Sequence, residues 1–391
     1  VERGNMVYAS NDGVITDKAG TTLIFCPTAR KGSYTVPSTI ETIGAYAFAS
    51  CKLLTEIVIP GNVETISEYA FADCSKVARV RFSKGAVTGM TTEIGAYAFA
   101  NLVSLREIVF EDGSAVTSIG EYAFTGAEAL RNLGIPSTME YIGDYAFEQA
   151  KALSTVTFQD GNKGALEFGN YVFSECTGLT KVELPKSVTK LNLGVFDGCV
   201  NIKEIKVDKD NEYYKDIDGV VFTKDGKELM FFPKGKTVEN NTYYINGDIE
   251  SVSEGAFRGA RFVETIVIGG KVAHIGKYAF EESSLTTLTF EEDGENTPLV
   301  IEDQAFAGCA GISSVALPAR TQKIGVKAFY NVAMTEVIFP ANLQEIGDYA
   351  FARTSITSVE IPANVAVFGE HVFDTCTSLE TVTYAEGYVG K

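Results

Sequence analysis

Some things are scarce in this chain of 391 residues. There are only two histidines, His274 and His371. With no third partner type in quantity, a histidine-based catalytic triad or metal site has little to be built from. Basic residues are outnumbered: 33 Lys and Arg stand against 51 Asp and Glu, a net charge of −18. No basic patch breaks that balance, which argues against nucleic acid and against an anionic membrane surface as partners. No apolar run approaches the ~18 residues needed to span a bilayer, so no membrane insertion is expected of this chain. Residues Val1 to Tyr8 are not a signal peptide either. That fits a trimmed or mature form and gives no argument for the cytoplasm.

What is present is order along the chain. Hydrophobic residues make up 45%, ordinary for folded protein. Phenylalanine recurs at 48, 71, 99, 124, 147, 173 and 196, then at 257, 280, 306, 329, 351 and 373. Most steps are near 23 residues, with one jump of 61 between Phe196 and Phe257. A period of this size sustained over the chain means a solenoid. A coil this small cannot bury its own apolar side, so stacking on its neighbours creates the core.

Each coil has the same inward spokes. The residue five before each phenylalanine is apolar in all thirteen coils, from Ile43 to Phe368. Leu54 and its equivalents follow the ring, then pairs such as Ile57 and Ile59. The alternation Ile57-Val58-Ile59 predicts a strand, often closed by proline, as at Pro60, Pro136 and Pro185. Stacking then predicts one long parallel sheet, with the Ile-Gly-x-Tyr-Ala-Phe half as the opposite wall. Glycine follows the apolar residue in nine coils, Gly44 and Gly143 among them, which predicts positive φ or a close backbone approach.

There is a second level of repetition. Asp12-Gly13-Val14, Gly20, Leu23 and Pro27 return 206 residues later as Asp218-Gly219-Val220, Gly226, Leu229 and Pro233. Each set predicts strand, glycine turn and strand. The expected division is therefore 1–207, a hairpin lead-in plus seven coils, and 208–391, a second lead-in plus six coils continuous with the first array. Residues 1–207 hold 18 basic and 23 acidic side chains, and 208–391 hold 15 and 28.

Six of the seven cysteines, Cys51, Cys74, Cys176, Cys199, Cys309 and Cys376, sit three residues after a phenylalanine. That slot elsewhere holds Ala, Ser, Thr, Val or Leu, which marks a tight buried corner where cysteine acts as a small hydrophobe. Neighbouring coils lie ~5 Å apart, so Cys51–Cys74 and Cys176–Cys199 disulfides stay open at this point. A spacing of 23 matches no zinc pattern.

Laid out as Ile-Gly-x-Tyr-Ala-Phe-x-x-Cys-x-x-Leu-x-x-Ile-x-Ile-Pro, the coil resembles the BspA-like, or Treponema pallidum-type, bacterial leucine-rich repeats. Ile43-Gly44 with Ala47-Phe48 match one signature of that family, and Cys51, Leu54, Ile57 and Ile59 match the other. The match covers about 36–207 and 240–391. Gly194-Val195-Phe196, which lacks the tyrosine, and Glu302, in a glycine slot, depart from it. The resemblance implies a leucine-rich-repeat solenoid, α/β by convention though mostly β and loop, with right-handed coils and a parallel sheet on the concave face. It implies secreted or surface-attached bacterial proteins, several of them adhesive towards host matrix or cell-surface proteins. It implies no catalytic residues and no cofactor, so the chain is expected not to be an enzyme.

Asp208-Lys209-Asp210-Asn211-Glu212 begins like a calcium loop, but Tyr213 stands where glycine is required. Glu291-Glu292-Asp293 with Glu302 and Asp303 reads as a solvated acidic face. His371 occupies the tyrosine slot of the last coil, and His274 a variable slot. The outward columns of the strands say more. One contains Glu56, Arg79 and Glu107; the next contains Arg81. The first array's columns are charged and the second's are rich in Thr and Ser. A broad floor without a deep pocket suits a protein partner, and Glu56, Arg79, Arg81 and Glu107 form the expected contact patch. The competing reading is that the arginines only balance the glutamates across strands. Two other functions remain open at this point: a glycan-binding module or carbohydrate-active enzyme, and a structural spacer.

Overall fold

The computed structural model describes residues 1–388 apart from 3, 88, 160–163 and 293–296. The chain divides into two compact units. One comprises Val1–Cys199 with Asp208–Tyr213, the other Val200–Val207 with Tyr214–Lys391. Each is a stack of coils built almost wholly of strand and turn. The only helical turn among the described residues is a 3-10 turn at Glu239–Asn241.

The first unit opens with antiparallel strands Tyr8–Asn11, Val14–Asp17 and Thr22–Phe25. Asp12 and Gly13, with φ of 48° and 75°, make the tight turn between the first two. Only Gly, Asn and Asp reach such angles readily, which is why Asp-Gly stands there and again at Asp218-Gly219. The second unit opens in the same way, with Tyr214–Ile217, Val220–Thr223 and Glu228–Phe231.

Two parallel sheets run along the first unit. Six strands, from Lys31–Thr35 and Leu53–Gly61 to Thr155–Phe158, carry the Ile-x-Ile segments. Seven short strands, among them Thr42–Ile43 and Tyr141–Ile142, extend the hairpin sheet through the Ile-Gly positions. The expectation of one long sheet is thus corrected. The opposite wall carries a ladder of its own, and the strand-face ladder of the second unit is cut into shorter sheets, such as Ser314–Ala316 with Glu336–Ile338. Strands of two residues have no alternation to detect, so hydrophobic period cannot reveal them.

Inward residues are fully buried: Ile57, Ile59, Val80 and Phe82 on the strand side, Ile43, Ile66 and Ile142 on the other. Between them the phenylalanines stack. Phe99–Phe124 and Phe124–Phe147 have ring centroids 5.0 and 5.4 Å apart, with planes within 3°. Phe257 to Phe373 form the equivalent column in the second unit, where Phe232 of the lead-in adds one more ring at 4.6 Å. Each fully buried ring contributes ~1.5–3 kcal/mol by area removed from water.

The cysteine slot is explained by the same stacking. In five of the six slot cysteines Sγ points at the carbonyl of the preceding coil's phenylalanine, as Cys74 to Phe48 at 3.1 Å, Cys199 to Phe173 at 3.0 Å and Cys309 to Phe280 at 3.0 Å, while Cys51 points at Cys26 O and Pro27 O of the lead-in. All seven cysteines are free thiols in the structure. Burial pushes Cys74 up to about 12 and Cys309 up to about 11, so the reactive thiolate is scarce at these two, while the hydrogen bond with Cys26 lowers Cys51.

Candidate functional site

The strand face of the first unit holds the four expected residues together. Parallel pairing puts Glu56 beside Arg79, and Arg79 beside Glu107, on three neighbouring strands. Arg81 lies two residues along, beside Val58 and Val109. Because side chains alternate across a strand, all four project outward while Ile57, Val80 and Ile108 turn inward.

Their charges are largely spent on each other. Arg79 Nε donates to Glu107 Oε2 at 2.7 Å, and its Nη1 lies 3.8 Å from Glu56 Oε1. Arg81 Nη1 is 3.8 Å from Glu111 Oε1, and Arg81 Nε is buried without a hydrogen-bond partner. The cross-strand balance offered as the competing reading is therefore present for Arg79, and each exposed pair of this kind contributes under ~1 kcal/mol. Glu111 was missed from sequence. It lies just past its strand, outside the alternating columns, and its other oxygen accepts the Lys84 amide at 3.3 Å.

The second unit's strand face is not flat. A groove of about 500 Å³ lies across Glu336–Ile338, Ser358–Ile361 and Thr381–Tyr384, lined by Glu336, Ile338, Ser358, Glu360 and Thr383. The expected floor without a deep pocket carries a shallow, open groove there. Small Ser and Thr side chains in the outward columns leave space that longer side chains would fill.

The turn wall carries the feature least visible in sequence. The glycine before each turn has ordinary φ; what it provides is close approach. A Cβ on Gly143 would sit 2.8 Å from Glu121 N and Gly120 C of the preceding coil. Positive φ falls instead on the tyrosine two residues later: 59° at Tyr46, 55° at Tyr69, 53° at Tyr122. A second left-handed residue follows each phenylalanine by two, as at Ser50 and Asp73, both with φ of 60°. These paired reversals aim the main chain at the next coil, so that Phe48 N donates to Ala70 O at 2.7 Å and Ser50 N to Ala72 O at 2.8 Å. They also align the tyrosines. Tyr46, Tyr69, Tyr97, Tyr122, Tyr145 and Tyr171 stack at 4.7–5.0 Å with planes within 11°. Burial in the stack, with nearby carboxylates such as Glu121, raises Tyr97 above the usual phenol range.

The remaining candidates are less organised. The Asp208 loop closes on itself, Asp208 Oδ1 accepting the Asp210 amide at 2.9 Å. No group of three or more metal-ligating side chains occurs among the described residues. Glu302 faces His274 at 3.9 Å and Asp303 pairs with Lys277 at 3.3 Å, while Asp293 lies outside the described residues. His371 is exposed and stacks on Tyr349 at 4.9 Å.

Fold and site together define a repeat solenoid whose outward columns vary on a constant core, the organisation of leucine-rich-repeat proteins. The chain belongs to the BspA-type leucine-rich-repeat family, whose model matches residues 24–90, 92–224, 235–298 and 299–389. None of the curated proteins matches it in sequence. Among solved structures, it is similar to a leucine-rich cell surface protein of Faecalibacterium prausnitzii (22% identity, 98% of this chain and 96% of that one, TM-score 0.71). It is also similar to the pneumococcal vaccine antigen PcpA (19%, 97% and 98%, TM-score 0.63). A leucine-rich-repeat protein of Bacteroides ovatus matches at 21% identity over 100% and 99%, with a TM-score of 0.62. At these identities the likeness establishes the fold. No helix among the described residues is long and apolar enough to cross a membrane.

Proposed function

We propose that the chain is a non-catalytic recognition protein of the bacterial surface or exterior, which binds a protein partner, host matrix or cell-surface protein, through the strand face of its first unit. The observation that carries this reading is the outward patch of Glu56, Arg79, Arg81 and Glu107 on three in-register strands. Family membership supports it, as does the description of a fold relative as a cell surface protein. Arg79 is held by two glutamates, so it acts as a rigid strut. Arg81 has only a long contact to Glu111 and its Nε is buried, so the terminal nitrogens of its part-exposed guanidinium are the donors it has left to offer. Arginine with unspent donors at the centre of a patch is a common interface hot spot.

The test is a binding screen against purified matrix and cell-surface proteins, followed by variants measured against any saturable partner. Arg81→Ala should weaken that partner at least ~10-fold, a hot-spot effect, and Arg79→Ala less. Equal affinity for wild type and Arg81→Ala, with unfolding unchanged, removes this patch.

A further inference from the structure

In the second unit the two left-handed columns of the turn wall carry different side chains. The tyrosine column reads Gly255, Tyr278, Gln304, Lys327, Tyr349 and His371, and the column beyond the phenylalanines includes Arg353. In the last three coils this gathers Lys327, Arg353 and His371 around two tyrosines. Lys327 Nζ lies 5.7 Å from the ring centres of both Tyr330 and Tyr349. The Arg353 guanidinium lies 5.4 Å from Tyr330. His371 stacks on Tyr349 with planes at 14°.

Neither Lys327 nor Arg353 has a carboxylate within ion-pair distance among the described residues, although acids outnumber bases in this half of the chain. Two acids joined to them through the main chain, Asp348 and Asp374, turn their carboxylates to other donors. Asp348 and Asp374 give their carbonyls to the amides of Lys327 and Arg353. Their carboxylates accept from Glu370 N at 2.7 Å and Thr375 Oγ1 at 2.9 Å. Arg353 and His371 are exposed, and Lys327, Tyr330 and Tyr349 half-buried.

We propose that this wall binds an anionic carbohydrate, a polysaccharide bearing sulfate or carboxylate groups. Unpaired cations set against aromatic rings match the two faces of such a sugar. Its anionic substituent takes charge-assisted hydrogen bonds from arginine and lysine, and its C–H surface lies against the exposed His371 ring, since Lys327, Arg353 and His371 already lie against Tyr330 and Tyr349. An acidic peptide side chain supplies the charge without the ring-sized apolar face. The cluster spans three consecutive coils, so it suits a linear chain. Screening beyond ~8 Å at physiological salt limits repulsion from the protein's remaining acids to near neighbours. This surface is separate from the strand face, and either can fail alone.

The probe is a size-defined heparin oligosaccharide, titrated calorimetrically into the full chain at low and physiological salt, with dextran and polyglutamate of similar length as comparators. Lys327→Gln with Arg353→Gln should raise the heparin dissociation constant at least ~10-fold and flatten its salt dependence. Glutamine fits these backbone positions: Gln304 and Gln149 already occupy left-handed slots with φ of 56° and 59°. Lys31→Gln with Lys52→Gln, far along the sequence in the first unit, should leave binding unchanged. Three results overturn the proposal: no heparin binding at low salt, undiminished binding by a double variant that unfolds like wild type, or polyglutamate binding as tightly and with the same loss.

Discussion

The two units share one backbone plan and differ in what stands on its left-handed positions. In the first, six tyrosines stack without interruption at 4.7–5.0 Å. In the second, the same slots hold glycine, glutamine, lysine and histidine as well as two tyrosines. The phenylalanine column, one layer further in, is continuous in both. The interior ladder therefore holds the coils in register by itself. The outer ladder is an addition that the second unit has given up, and its slots are free for other chemistry.

The largest expected effect tests the shared part. Phe124 and Phe306 are both fully buried between two stacked rings. Phe124→Ala and Phe306→Ala should each destabilise their own unit by ~3–5 kcal/mol. Denaturant unfolding followed by probes placed in each unit checks this. A loss in one unit several-fold smaller than in the other breaks the claim that the inner ladders are equivalent.

A smaller effect sharpens the difference. Tyr122 stacks on Tyr97 at 4.8 Å and Tyr145 at 4.7 Å, in a conformation that disfavours side chains. Tyr122→Ala keeps the backbone strain and loses both contacts, each worth ~0.5–1.5 kcal/mol. Tyr122→Gly loses the same contacts but relieves the left-handed penalty, so it should be less destabilising than Tyr122→Ala. In the second unit Gln304→Tyr, which places a ring in the slot beside Tyr278, should be neutral or stabilising. If Tyr122→Gly proves worse than Tyr122→Ala, positive φ is not what shapes this column.

The contrast between columns also explains what could be read in advance. The phenylalanine period, the inward spokes and the small buried cysteine corner were legible because burial imposes a repeating choice of residue. The fate of Arg79 and Glu107 was legible only as two alternatives, since a column of charges gives neighbours but not rotamers. Gly143 and Tyr145 show a different limit. Glycine suggested positive φ or a close backbone approach; the close approach is what it provides and the left-handed residue is the tyrosine, because a steric requirement for no Cβ and a conformational one leave the same mark in sequence. Lys327 and Arg353 stand 26 residues apart and meet at Tyr330 only once the coils are stacked.

The smallest expected effect concerns the two lead-in hairpins, where matching turns are braced by different carboxylates. Asp17 accepts the Thr22 amide at 2.9 Å, the Thr21 amide at 2.8 Å and the Thr21 hydroxyl at 3.0 Å. Asp225 accepts the Lys227 amide at 3.0 Å and the Thr223 hydroxyl at 2.7 Å. These bonds favour the charged form, the Thr22 amide foremost at Asp17 and the Lys227 amide foremost at Asp225, and both carboxyls fall below the ordinary value of 3.8. A carboxyl depressed in the folded state adds stability that is present above its unfolded value and is lost as pH falls through the folded one. Each hairpin should therefore hold at neutral pH and loosen only below about pH 4, where protonation begins to remove the acceptor. Asp17 relies on its hydrogen bonds alone, whereas Asp225 is also held charged by the Lys227 and Lys215 ammonium groups, so added salt should weaken the second hairpin's brace more than the first's. Carboxyl titration and amide exchange by NMR, with and without added salt, read both hairpins at separate sites. Titration of Asp17 at or above 3.8 would show that its three bonds do not form in solution, and the pairing of the two hairpins would then rest on the Asp-Gly turns alone.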